Sequence, residues 1–254
     1  MKSPARGLEY EIAWPRRIVT IAEAARYIRS VGYCMLFTVK SIPLPSLYYH
    51  VTKRNRLDKR IWDKYSEMVW HWKDELPRRR KAFYGKYFRG RGTFISLEQL
   101  PNFLAMEDAA VAPEDHARFY AQGRIGENAR TIWEALEQHG PMATLELRNA
   151  CKMDTKAGNV RFKRAIVELQ RALIAMHCGT EQETGAWASG RYDLIYRVFP
   201  KETAAAKKIA SEMARRNLAR KFREVRGTIT TQGLARLFGW SKEETAEAIE
   251  SPRS

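Results

Sequence analysis

Cysteine is scarce in this chain of 254 residues: Cys34, Cys151 and Cys178 form an odd set with no Cys-x-x-Cys pair. That suits free thiols in a reducing compartment better than a disulfide framework and argues against structural zinc. Long apolar runs are also missing. Nothing approaches the roughly 18 consecutive apolar residues of a membrane-spanning helix, and the first residues, with Pro4, Glu9 and Glu11, lack the apolar centre of a secretory signal. The expectation is a cytoplasmic protein with no membrane partner. Gly85-Lys86-Tyr87-Phe88-Arg89-Gly90-Arg91-Gly92-Thr93 is not a nucleotide-binding loop, because no Ser or Thr follows Lys86 and the glycine spacing is wrong. His50, His116, His139 and His177 show no ligand or triad spacing, so no metal and no cofactor are expected.

Acid is in short supply as well. Asp and Glu number 29 against 45 Lys and Arg, leaving a formal net charge of +16. Such a surplus favours polyanions through counterion release and steering, with nucleic acid ahead of an anionic membrane. The charge is concentrated between Lys53 and Arg91, where 14 Lys and Arg face 5 Asp and Glu. Aromatics interleave with it. Leu57, Ile61, Tyr65, Met68, Val69, Trp72 and Leu76 fit a helical stripe and read as core. Trp70 and Tyr87 are the freer rings, placed to stack on a base or wedge a duplex step.

The stretch from Arg130 to Val198 has the order of elements of a winged helix. Ala129, Ile132, Trp133 and Leu136 recur at helical spacing until Gly140-Pro141. Thr144 reads as the cap of a short helix, Leu145 to Cys151. A third helix, Asn159 to Leu173, sets Phe162, Ala165, Ile166, Leu169 and Leu173 on one face, with Arg161, Arg164, Glu168 and Arg171 on the other. Taken alone, that charged face is an ordinary solvated surface. The strand-like runs Leu173 to Met176 and Tyr192 to Tyr196, around a loop from Gly179 to Gly190, supply the wing and make the stretch a module.

Elsewhere, residues 1–19 read as a basic arm. Thr20-Ile21-Ala22-Glu23 is a capping-box pattern that opens a helix. Lys40 to Ser46, with Pro43 and Pro45, must break helix. Short strands at Ala82 to Phe88 and Thr93 to Ser96 flank a basic turn, Leu97 to Met106 caps the module, and Glu107 to Asp115 is the linker. Thr203 to Val225 reads as one long helix with Ala204, Ile209, Met213, Leu218 and Phe222 inward. Thr230 and Ser241 then cap a last pair of helices. The expected class is mainly α with small β-hairpins, built from tandem winged-helix or helix-turn-helix modules. Its parts are a basic arm at 1–19, a first winged-helix-like module at 20–110, a winged helix at 116–200, and a long helix with a wingless helix-turn-helix at 201–254.

Several stretches then occur in a telling order: Leu36-Phe37-Thr38-Val39-Lys40-Ser41-Ile42-Pro43-Leu44-Pro45-Ser46-Leu47, Trp70-His71-Trp72-Lys73-Asp74-Glu75-Leu76-Pro77, Thr93-Phe94-Ile95-Ser96-Leu97-Glu98, and the two helix-turn-helix repeats. By these the chain resembles the bacterial winged-helix DNA glycosylases of the AlkZ type, which release alkylated and crosslinked bases, and especially their shorter relatives. The resemblance covers most of residues 20–250. It implies tandem winged helices around a basic DNA channel and hydrolysis of an N-glycosidic bond, which requires a positioned water and a stabilised oxocarbenium-like sugar. In the better-known members a Gln-x-Gln or His-x-Gln motif does this. The matching place here, Cys34-Met35-Leu36-Phe37-Thr38, holds neither glutamine nor histidine.

The remaining candidates for chemistry are Thr38, Lys40, Asp58, Asp74 and Glu75. For Asp74 and Glu75 the plainer reading is surface charge near a helix end. Lys40 is a Schiff-base former or, more simply, a phosphate contact. DNA contacts are expected from Lys40, Ser46, Lys53, Arg54, Asn55, Arg56 and Lys59, then from His71, Arg78, Arg79, Arg80, Lys86, Arg89 and Arg91, and in the second module from Arg161, Arg164, Arg171 and Arg191. The partner is double-stranded DNA, damaged or modified, met by a monomer in the cytoplasm at the nucleoid. The competing readings are a non-catalytic DNA-binding regulator and a basic scaffold that meets RNA or acidic partners.

Overall fold

The structure, a computed structural model, describes residues 16–250 apart from 56, 58, 59, 61, 184–187 and 228–229. Most of the expected basic arm therefore lies outside the described residues. The first helix, α1 (Ile21–Val31), starts where the sequence says it must: Thr20 Oγ1 accepts from the Glu23 amide while the Glu23 carboxylate accepts from the Thr20 amide. It buries Ala24, Tyr27, Ile28 and Val31. Gly32, at φ 78°, then turns the chain into β1 (Tyr33–Met35). The proline-broken connector follows, and Ser46 caps α2 (Leu47–Thr52).

Asp63 caps α3 (Lys64–Arg78), the helix of the interleaved rings, by accepting from the Ser66 amide. Val69, Trp72 and Leu76 are buried along it as the stripe requires, whereas Leu57 precedes it. Strand β2 (Phe83–Gly85), a 3-10 turn (Phe88–Gly90) and β3 (Thr93–Ile95) come next, and the sheet order is β1-β3-β2, all antiparallel. Tyr87, expected to be a free ring, is only 8% exposed; it packs edge-on against Phe88 and Phe103 because the turn carries it into the core. Short α4 (Leu100–Met106) and α5 (Asp115–Ala121) lead into the second half.

There the order is α6 (Glu127–His139), β4 (Met142–Ala143), α7 (Thr144–Ala150), α8 (Lys156–Arg171), β5 (Ala175–Glu181) and β6 (Ser189–Leu194), with a second antiparallel sheet ordered β4-β6-β5. Two local expectations need correction. Thr144 does not cap α7; its hydroxyl donates across to the Gly190 carbonyl, and Ala143 holds the cap position. Helix α8 stops at Arg171, before Leu173, because Leu173 adopts φ 55° and turns the chain back toward the sheet. Gly158, in the first turn of α8, faces the backbone of Met153 so closely that an added Cβ would lie 2.7 to 2.8 Å from three of its atoms. Gly158→Ala is therefore expected to lose about 1–3 kcal/mol through overpacking, against the helix preference for alanine. A urea midpoint that is unchanged or raised would show that the Met153 backbone gives way.

After α9 (Ile195–Val198), the expected single helix over Thr203 to Val225 is two: α10 (Pro200–Ala206) and α11 (Ser211–Arg226). Both pack on α4, and the Ser211 hydroxyl reaches the Met106 carbonyl. A straight helix over that range would run about 34 Å against about 10 Å for α4, so the chain has to turn. The turn also leaves Met213 49% exposed and Ala204 exposed, although both were expected inward, while Leu218 and Phe222 are buried. The last pair, α12 (Thr231–Phe238) and α13 (Lys242–Ile249), carries the expected Thr230 and Ser241 caps. The molecule is mainly α with two small three-stranded sheets.

Two apolar clusters hold these elements. The larger joins Phe103, Trp133, Phe162, Leu194 and Trp240, and the smaller joins Ile18, Tyr27, Leu47, Trp72, Phe94 and Val225. In the smaller lies His50, against the Tyr27 ring at 4.5 Å, its Nδ1 without a hydrogen-bond partner among the described residues. Burial, helped by the Lys53 charge, lowers its pKa from 6.5 to about 4. The unfolded chain takes up this proton as pH falls through about 6.5 and the folded chain does not, so stability is lost progressively down to the folded value, by roughly 3 kcal/mol in all. His50→Gln is expected to flatten that part of the acid limb. Equal slopes for the variant and the parent in urea midpoints from neutral to acid pH would refute the assignment.

Candidate nucleic-acid interface

Helix α3 has one face in the smaller core and one in solvent, and Asp74 sits at the seam where the helix meets strand β5. Only 9% of Asp74 is exposed. Its Oδ1 accepts from Lys73 Nζ at 2.5 Å and lies 2.6 Å from His177 Nε2, a residue of β5. Tyr84 and Tyr192 present their rings to His177 at near right angles, each with centroids 5.7 Å apart. Burial by itself would raise the Asp74 carboxyl, but the two hydrogen bonds outweigh it and the pKa is lowered. Burial lowers the pKa of His177 more than Asp74 raises it. The consistent state at neutral pH is a carboxylate between an ammonium and a neutral imidazole whose proton sits on Nε2. Burial, then the Asp74 charge, pushes the Tyr192 phenol up to about 12, and Tyr84 is raised for the same reasons. Both strong contacts use Oδ1, which leaves Oδ2 as the acceptor for water or ligand.

The Lys73 ammonium also lies 4.2 Å from the centre of the Trp70 ring. Trp70 is 44% exposed, stacks with Phe37 at 6.3 Å, and meets the edge of Trp62, itself 45% exposed, at 6.2 Å. An aromatic platform thus stands beside the buried carboxylate, tied to it by one ammonium. Next to Phe37, the Thr38 and Ser46 hydroxyls lie 2.7 Å apart, and Ser46 Oγ also caps α2. Trp70 was singled out in the sequence; His177 was not, because 103 positions separate it from Asp74 and nothing in its local pattern marks it.

The other candidates divide by what already holds them. Glu75 accepts from Arg78 and Arg79, chiefly Arg78, which brings its pKa down to about 2, so those two arginines spend charge on it. Arg54 bonds Asp63 and Ser66. Lys53 Nζ donates to the Arg16 carbonyl, Arg89 to the Ser41 and Arg236 carbonyls, and Arg191 pairs with Glu181. Lys40, Asn55, His71, Arg80, Lys86, Arg91, Arg161, Arg164 and Arg171 are exposed. Asp58, Arg56 and Lys59 lie outside the described residues. Lys86 joins the two halves of the basic surface: its amide donates to Gln170 of α8, and although the residue is exposed to solvent, partial desolvation against α8, then the charges of Lys163 and Arg91, lower its pKa.

A family model described as AlkZ related matches residues 18–239. The chain belongs to the AlkZ-related family. No curated protein and no solved structure matches it. The AlkZ-related match spans α3, both sheets and α12, so Asp74, His177, the aromatic platform and the basic surface all fall inside it. Among the described residues no helix is long and apolar enough to cross a membrane. Nor do three His, Cys, Asp or Glu side chains come together there as metal ligands.

Proposed function

We propose that this protein binds duplex DNA across its basic surface and hydrolyses the N-glycosidic bond of a modified base at the Asp74 cluster. The observation that carries the reading is a buried, ionised carboxylate with one oxygen unused, beside an exposed Trp62 and Trp70 pair. The platform suits stacking against a displaced base, as enzymes that work on bases require. Water held by Asp74 Oδ2 attacks the sugar C1′ as the bond from C1′ to the base nitrogen breaks. The electron pair leaves with the base, and the water proton passes to Asp74. Lys73 and His177 fix the carboxylate, and Lys40 contacts phosphate. The element order from α6 to β6 is that of a winged helix, with α8 as its basic helix and the β5 and β6 hairpin as its wing. The 20–110 stretch, built on the first sheet, supplies the facing wall. The protein acts as a monomer, in the cytoplasm at the nucleoid.

One observation favours a second reading, DNA binding without chemistry. Thr38 and Ser46 satisfy each other at the place where the better-known glycosylases of this type keep their Gln motif. Incubating the protein with duplexes carrying alkylated, crosslinked or deaminated bases, followed by alkaline cleavage, separates the two. The enzyme reading expects abasic sites that Asp74→Asn abolishes while duplex affinity stays within about twofold, since the amide is isosteric. Silence across the panel leaves only binding.

A further inference from the structure

Away from Asp74, a cleft of about 810 Å³ opens between the 3-10 turn, the end of α4, helix α8 and helix α12. Lys163, Arg164 and Arg171 of α8 and Arg236 of α12 line it, and among the described residues their side chains have no hydrogen-bond or ion-pair partner. Like charges gathered around one cavity repel each other; the lining carboxylates Glu107 and Glu168 offset that cost in part, and an entering anion offsets it further. One wall differs. Glu107, mostly buried, accepts the Tyr87 hydroxyl on Oε1, and Oε2 is left without a partner among the described residues. Desolvation by burial raises its pKa, against the opposing pull of the Tyr87 hydroxyl and of the Arg124 and Arg171 charges. Beside it the Phe238 ring, backed face to face by Trp240 at 4.4 Å, borders the cavity.

A bare phosphate needs only the cations. A hydrogen-bond acceptor, an aromatic wall and unpaired cations lining one cavity fit a ligand that has a phosphoryl group and a flat, donor-bearing ring. We propose that this cleft binds one nucleotide: phosphate on Lys163, Arg164 and Arg171, and base against Phe238 with an N–H donated to Glu107. The cavity volume lies within the range of small-ligand sites, and helix α8 places its three cations on one side of it. The nucleotide comes either free or as a unit of a single strand, and the chemistry of recognition is the same.

The site is separate from Asp74, so it stands or falls independently of base release. Calorimetric titration of the full chain with 5′-mononucleotides, the matching nucleosides, inorganic phosphate and a tetranucleotide tests it. Mononucleotide is expected to bind at least tenfold more tightly than nucleoside or phosphate. The exposed double substitution K163Q/R171Q is expected to weaken it at least tenfold, with an unchanged thermal midpoint as the control for folding. Glu107→Gln is expected to weaken mononucleotide and leave phosphate unaffected. A tetranucleotide that binds more tightly than the mononucleotide identifies a strand as the source; equal affinity identifies the free nucleotide. Equal binding of phosphate and mononucleotide, or an unchanged affinity in K163Q/R171Q, overturns the proposal. Asp74→Asn should leave all of these titrations unaltered.

Discussion

Asp74→Ala is expected to destabilise the protein by about 3–5 kcal/mol, the usual cost of removing one partner from a buried charged network. The substitution leaves the Lys73 ammonium and the His177 N–H enclosed with no acceptor, and it does so at the contact between α3 and β5. For a chain of this size the midpoint of thermal unfolding should fall by on the order of 10 °C. The pH dependence has a definite sign. Asp74 titrates below its ordinary value in the folded state, so its contribution is complete above about pH 4, the unfolded carboxyl range, and is lost as pH falls through the folded value. Replacing all three groups together with apolar residues of similar size should restore most of the loss, because the desolvation cost of the charges disappears with them. A loss below about 1 kcal/mol in the single variant would mean that water already satisfies the cluster.

Affinity for undamaged duplex should fall by about a thousandfold between roughly 50 and 200 mM salt, the behaviour of a protein that makes at least six phosphate contacts. Lys40, Arg80, Lys86, Arg91, Arg161 and Arg164 supply that number from exposed side chains, whereas Arg78 and Arg79 are engaged by Glu75. Neutralising Lys40 or Arg80 should reduce the slope of log affinity against log salt by about one each and weaken all sequences alike. Neutralising Arg79 should change it far less. Fluorescence anisotropy on a labelled duplex gives both numbers. A slope near zero would remove DNA as the partner of this surface.

What the sequence revealed was local. The caps at Thr20, Thr230 and Ser241 each depend on residues within three positions, and the structure has all three. The buried stripe of α3 was legible from its 3.6-residue period, and the short strands from their Gly-bounded runs. What it hid was set by distant contacts. The Ala- and Lys-rich stretch around Ala206 has high helix propensity and no Gly or Pro to mark a break, yet the shared packing on α4 imposes one. Leu173 has no local reason to adopt φ 55°. At the candidate site, Asp74 could be named from its neighbours but not its state, since that depends on a histidine from a hairpin far along the chain. Tyr87 looked like a free ring because its charged neighbours are exposed, while the ring itself turns inward to Glu107.

The position of α11 has a consequence for synthesis. Tyr33 Oη donates to the Leu218 carbonyl at 2.9 Å, Gly32 faces the stem of Lys221, and Val225 belongs to the same cluster as Ile18 and Phe94. A chain emerging from the ribosome therefore completes this core only once α11 has been made, since Leu218 lies 185 positions beyond Tyr33. Until residues 211–226 have been made, β1 lacks the partner for its buried hydroxyl, and the apolar side that Val225 covers stays open. The elements around β1 thus depend on translation reaching α11, and a chain that stops before α11 is left with an unfinished core around residues made long before the stop.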